Sequence, residues 1–310
     1  MKRKESTQKK RKRTVFLLLA TITICLSAIV LLLPEAIREE RAAGIPGGRD
    51  PGEPGSAAHQ SPASGLAGGI SGQRGRLPIK KRPPDVRVRL TVVLDDAGYN
   101  LTDLDEVLEF PGALTVAVLP HLPYSREAAE RIRDAGKELI LHLPMEPKGN
   151  ADPGPGAITS SHAGEDIRQG LESAFASVPG AQGLNNHMGS KAMEDPLVVA
   201  PIMEYLRVNS KFFLDSMTTS QTVAPRLAES YDVPLIERSV FLDNVVTEEA
   251  IREQFLRGLD IARRQGSAIL VGHVKNPEVM LVLNQMYPLL AGQGVDMMDL
   301  ATQFDLEEED

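Results

Sequence analysis

LTVVLDDAG, residues 90–98, is a β-rich apolar run that stops on two adjacent carboxylates, Asp95 and Asp96, with a glycine two positions on. The acidic pair has two readings. Asp-x-Gly stretches make ordinary turns. Alternatively, polar residues collected where a strand runs out build a site, as in parallel α/β folds, whose strand carboxyl ends share one face.

Further runs resemble the first: Leu114–Leu119, Glu138–Leu143, a weaker GLNN from Gly183, Lys211–Leu214, Pro234–Glu237 and Ala268–Gly272. Helix-period segments alternate with them, which predicts a parallel sheet with crossover helices. Thr247 followed by two glutamates, apolar Ile251, Phe255, Leu259 and Ala262, and then Gly266 mark one helix from cap to cap. Asp195-Pro196 and Asn276-Pro277 each place a capping side chain before a first-turn proline. Ser125 to Gly136 reads as another helix.

The polar residues that end these runs form a set. Asp95-Asp96, His121, His142, His187, Asp215, Asp243 and His273 all stand at or just after strand ends. His59 and His162 fall elsewhere and read as solvated. A lone histidine after a strand is usually a satisfied core or surface residue; four at equivalent positions with the carboxylates Asp95, Asp96 and Asp215 favour a common pocket. One aspartate and two neutral imidazoles suffice to hold Zn²⁺ or a similar divalent ion with a position left for water. Such an ion acidifies water and polarises a carbonyl. A second carboxylate beside it takes the water's proton, and a further histidine such as His273 protonates the leaving group. Successive residues leaving a strand point in different directions, so Asp95 and Asp96 can divide the two carboxylate roles. Asn185 and Asn186 read first as turn formers, with contact to a sugar hydroxyl or oxyanion as the second reading.

Composition divides the 310 residues into regions. Residues 2–13 carry eight Lys or Arg, and Val15–Leu33 contains 19 residues without a charge, long enough to cross a bilayer core of about 30 Å. These predict a basic cytoplasmic tail over 1–13 and an uncleaved signal anchor over 14–34, with the remainder extracytoplasmic. Gly44–Asp85 holds 10 Gly and 7 Pro, so 35–85 reads as a disordered spacer. Residues 86–310 suffice for one sizeable core. Their 18 Lys and Arg against 35 Asp and Glu give −17, which excludes nucleic acid as a natural partner. The single cysteine, Cys25, rules out a disulfide framework or a cysteine metal site within one chain, and the absence of tryptophan removes the usual sugar-stacking residue.

Six stretches in order, LDDAG (94–98), LPHLPYS (119–125), HLPMEP (142–147), NNHMGS (185–190), FFLDSMTTS (212–220) and ILVGH (269–273), resemble the divergent polysaccharide deacetylase family, a remote branch of the metal-dependent polysaccharide deacetylases. The resemblance covers nearly all of 86–299. It implies an α/β fold, a distorted (β/α)7 barrel of the glycoside hydrolase/deacetylase type, which the composition, not the resemblance, places after one transmembrane helix. It also implies hydrolysis of N- or O-acetyl groups on a cell-envelope polysaccharide. Carried over residue by residue, it makes Asp95 the base, Asp96 and His142 metal ligands, and His273 the acid. The parent family's second metal histidine falls on Glu146, and His187 is the replacement. Its Arg-Pro-x-Tyr and Asp-Trp elements are absent. Asp215, Glu146, Asn186 and His121 remain as residues supporting the ligands or touching substrate. A wall-binding or scaffold domain that keeps the barrel without the reaction is the alternative. A glycoside hydrolase is disfavoured, because its paired carboxylates flank a sugar ring rather than stand adjacent.

Overall fold

The computed structural model describes residues 88–309. Nine strands make one parallel sheet: β1 (Val88–Ala97), β2 (Thr115–Val118), β3 (Glu138–Met145), β4 (Gly183–Met188), β5 (Phe212–Asp215), β6 (Leu235–Glu237), β7 (Val240–Phe241), β8 (Ser267–His273) and β9 (Val295–Met298). The order is β6-β5-β4-β3-β2-β1-β8-β7, with β9 pairing β1. Helices α1 (Asp105–Glu109), α2 (Ser125–Asp134), α3 (Gly164–Ser177), α4 (Pro196–Val208), α5 (Ala224–Tyr231), α6 (Glu248–Gln265), α7 (Pro277–Leu290) and α8 (Leu300–Glu309) connect or follow them.

Strand alternation sorts the core into two parts. Val92, Leu94, Val116, Val118, Leu139 and Leu141 join the large cluster built with the helices. Their neighbours Val93, Ala117 and Ile140 point the other way, into a smaller cluster with Leu214, Ile269, Val271 and Leu300. Side chains one residue apart on a strand face opposite sides, so a run buried on both faces needs apolar residues at every position. The smaller cluster is covered by α8. The buried Glu138 carboxylate accepts from the Leu300 and Ala301 N–H groups at 2.8 and 2.9 Å, satisfying two of the donors that a helix start leaves open.

The cap signals act as their chemistry demands. Thr247 Oγ1 accepts from Ala250 N, Asp195 Oδ1 accepts from Leu197 N, and Gly266 ends α6 at φ 101°. Asn276 is different: it makes no side-chain cap bond, and its amide donates to Asp243 at 2.7 Å instead.

Two expectations are corrected. The sheet is curled but open, not a barrel closed by a ladder. β6 pairs β5 and β7 pairs β8, yet both belong to one stretch, 235–241. Arg238 N reaches Asp215 O and Ser239 N reaches Ile269 O. The two edge strands thus run end to end, and cannot also pair side by side. The second correction concerns the membrane. Among the described residues no helix is long and apolar enough to cross one; their buried apolar faces belong to the core that packs on the sheet. The stretch 14–34, on which the anchor rested, lies outside the described residues, as do 1–13 and 35–85. Membrane attachment and an extracytoplasmic placement therefore have no part in the functional reading below.

Candidate metal centre

The site begins with an irregularity in β1. On the β2 side the register runs from Leu94↔Val116 to Ala97↔Val118, three residues against two. The extra residue is a β-bulge, and Asp96 sits in it at φ 68°. A bulge breaks the alternation of side chains and re-aims one of them. Asp95 and Asp96 consequently approach the same atom, His142 Nε2, at 3.8 and 3.3 Å.

His142 and Asn185 are register partners across β3 and β4, and Pro144 faces His187 two residues further on. His142 Nδ1–H donates to Asn185 Oδ1 at 2.7 Å, while the Asn185 amide donates to Asp95 Oδ1 at 2.8 Å. This fully buried asparagine thus sets the imidazole tautomer, leaving Nε2 with its lone pair, and orients the neighbouring carboxylate. His187 Nδ1 lies 3.0 Å from His142 Nε2 and 3.1 Å from Asp96 Oδ1.

Three donor atoms therefore form a triangle with sides of 3.0, 3.1 and 3.3 Å. Tetrahedral zinc with bonds of 2.0–2.1 Å places its ligands about 3.3 Å apart. Asp96 Oδ1 is buried and has no hydrogen-bond partner, a costly state for a carboxylate oxygen unless a cation faces it. The donor set and the orphaned oxygen fit a divalent metal ion.

The surrounding charges follow. Burial pushes the Asp95 carboxyl above the usual aspartate range, against the pull of His142, His273 and Asn185. Burial acts on Asp96 in the same sense, but His142, His187 and Lys275 outweigh it and hold Asp96 well below that range. Burial would lower His142, and the two aspartates instead raise it; a cation bound there takes the place of that proton. His273, the register partner of Asp95 on β8, is also raised. Desolvation opposes the shift, and Asp243 carries it. Asp243 accepts from His273 Nδ1 at 2.9 Å and from the His273 backbone N–H at 2.9 Å. The Phe241 ring stacks on this imidazole at 6.0 Å and 3°, leaving Nε2 facing Asp96 Oδ2 at 4.0 Å.

The other residues singled out from sequence stand apart. Asp215 is buried and accepts from Met217 N and Thr222 Oγ1 at 2.8 and 2.7 Å, so it shapes the loop after β5 and bonds to no ligand. Burial raises its carboxyl. Glu146 pairs with Lys191 at 2.6 Å and accepts from Ser160 N and Oγ; Lys191 and Ser160 hold its carboxyl at about 2. Asn186 accepts from Ser216 N and donates to Met188 O and Thr218 Oγ1, joining the ends of β4 and β5. His121, exposed at φ 60°, donates its backbone N–H to Ser177 Oγ and packs its ring on Gly156. Asn185 as a bridge, Asp243 as the partner of His273, and Lys275 were not assigned from sequence. Asp243 carried a signal in its place after a predicted strand and Asn185 in its place in the GLNN run, though neither in the role it plays; Lys275 carried none.

A family model described as divergent polysaccharide deacetylase matches residues 92–303. The uncharacterized Escherichia coli protein YibQ is 39% identical over 203 residues, covering 66% of this chain and 63% of its own length. An uncharacterized Haemophilus influenzae protein is 32% identical over 195 residues, covering 63% of this chain and 69% of its own. The chain thus spans less than two thirds of the E. coli relative. An uncharacterized Agrobacterium tumefaciens structure shares the fold with a TM-score of 0.67 at 21% identity, over 73% of this chain and 92% of that one. A putative cellobiose-phosphate cleavage protein of Enterococcus faecalis does so at 0.51 and 14% identity, over 70% and 99%. Since the match over 92–303 spans more than half of the sequence and takes in every residue of the triangle, the chain belongs to the divergent polysaccharide deacetylase family.

Proposed function

We propose that the domain is a metal-dependent hydrolase that removes acetyl groups from a polysaccharide, with Zn²⁺ as the ion that its oxygen and nitrogen donors suit best. The observation that carries this reading is the triangle of Asp96 Oδ1, His142 Nε2 and His187 Nδ1, flanked by Asp95 on one side and His273 on the other. Bound there, the ion supplies the Lewis acidity that activates water and polarises an acetyl carbonyl.

Asp95 is the general base. Asn185 occupies its Oδ1, and its Oδ2 faces the ligand triangle. Its raised pKa brings its proton affinity toward neutrality, where a general base works best. His273 is the general acid. Its Nδ1–H is committed to Asp243, so the Nε2–H goes to the departing sugar nitrogen or oxygen as the bond to the acetyl carbon breaks. Both carboxylates of the opening pair face one imidazole nitrogen, an arrangement unlike the two sides of a sugar ring that glycoside hydrolysis requires.

The test uses the full chain with an acetylated polysaccharide, following acetate, reducing ends and bound metal. Wild type is expected to bind metal and release acetate. Asp95→Asn keeps the metal and loses turnover by about 10²- to 10⁴-fold, whereas Asp96→Asn loses the metal. Reducing ends without acetate would replace deacetylation by glycoside cleavage. Stoichiometric metal with neither product would leave a binding domain.

A further inference from the structure

Asp96 has two carboxylate oxygens in opposite circumstances. Oδ1 faces His142 Nε2 and His187 Nδ1 and is buried without a hydrogen bond. Oδ2 is bound at 2.7 Å by the ammonium of Lys275, a side chain 57% exposed at the mouth of the site. The other basic group near Oδ2 among the described residues is the His273 imidazole, 4.0 Å away.

Resting on the metal reading above, we propose that Lys275 is a positioning residue that restricts Asp96 to ligation through one oxygen and so keeps coordination positions open. The bulge fixes where the Asp96 Cβ points, but the carboxylate can still turn about its own bond. An aspartate free to turn can offer both oxygens to one cation. Each extra protein oxygen takes a position that a hydrolytic site must leave for water and substrate, and filling such positions is what separates a structural site from an open one.

Lys275 is placed well for this. His273 N donates to Asp243, Val274 N donates to Asp95 O at 3.0 Å, and Asn276 is held by His273 O and Asp243. Both neighbours of Lys275 are therefore pinned, and its ammonium reaches Oδ2 from a fixed backbone. Its charge also offsets that of a carboxylate taken out of water, which a neutral side chain would not do.

The full chain is loaded with Co²⁺ in place of the native ion, and its visible absorption is recorded. Four-coordinate cobalt absorbs far more strongly than cobalt with more ligands, so band intensity reports how many donors surround the ion in all, and a change between variants reports the donor that Asp96 adds. Wild type is expected to give intense bands. In Lys275→Met, with cobalt still stoichiometric, intensity falls several-fold as Oδ2 joins the ion; Lys275→Arg restores it. If the methionine variant folds poorly, Lys275→Gln carries the same comparison. Unchanged bands in the uncharged variants overturn the role of Lys275 and leave the metal reading standing. A wild-type chain that takes up no cobalt overturns both.

Discussion

Replacing Asn185 by alanine removes the side chain that serves both the ligand and the base. Two buried groups lose their partners at once, the His142 Nδ1–H at 2.7 Å and Asp95 Oδ1 at 2.8 Å. An abandoned buried donor or acceptor costs about 1–3 kcal/mol, so the pair should lose about 2–6 kcal/mol, a large part of the roughly 5–15 kcal/mol by which domains are stable. Metal affinity should also fall about 10- to 100-fold, because His142 no longer has its tautomer set. Urea unfolding of the metal-free chain, followed by circular dichroism, measures the first quantity, and competition with a chelating indicator measures the second. Asn185→Asp separates the two halves. It keeps an acceptor for His142 but places an oxygen against Asp95 Oδ1, so its cost should shrink as acid supplies a shared proton. A stability loss below about 1 kcal/mol together with metal affinity within about twofold of wild type would refute the bridging role of Asn185.

Asp243→Asn removes the charge that raises His273. Wild-type His273 contributes stability that is full below its unfolded value near 6.5 and lost as pH rises through the higher folded value. The variant should lose much of that dependence, the part due to Asp95 and Asp96 remaining, and shift the His273 NMR titration to lower pH; an unmoved titration would exclude Asp243 as a cause. Burial raises the Glu138 carboxyl above the ordinary glutamate value of 4.5, so the wild type should lose stability as pH climbs from there through the folded value. Glu138→Gln should not, and melting curves of the two across pH should converge or cross with rising pH; parallel curves would contradict the assignment. A Cβ at Gly183 would run into the Phe212 ring and lie 2.7 Å from the Phe212 carbonyl oxygen. Gly183→Ala should therefore lower the urea midpoint, by about 1–3 kcal/mol of stability, and an unchanged midpoint would show that β4 and β5 can separate without cost.

Much of the framework was legible because burial leaves a mark on composition. The seven apolar runs became β1 to β6 and β8, and the caps at Thr247, Asp195 and Gly266 announce themselves by local chemistry. β7, two residues long, and β9 carry too little pattern to separate from loops. Asn276 shows the limit of a local rule. Its capping position is real, but a buried carboxylate on another loop offers its amide a stronger partner.

The strand-end argument could gather Asp95, Asp96, His142, His187 and His273 on one side of a sheet, since parallel strands all point the same way. It could not say that both aspartates turn to one nitrogen, because the bulge is a mismatch between β1 and β2 and exists in neither strand alone. It equally assigned no use to Lys275, 179 residues from the carboxylate it holds, and left Glu146 and Asp215 as candidates that other loops had already claimed. By itself the sequence determined seven of the nine strands, the capped helices between them and the family to which they belong, since these follow from side-chain chemistry and local spacing. Register, strand closure and the pairing of polar atoms were decided only when distant segments packed, because a hydrogen bond between two strands depends on where both chains stand.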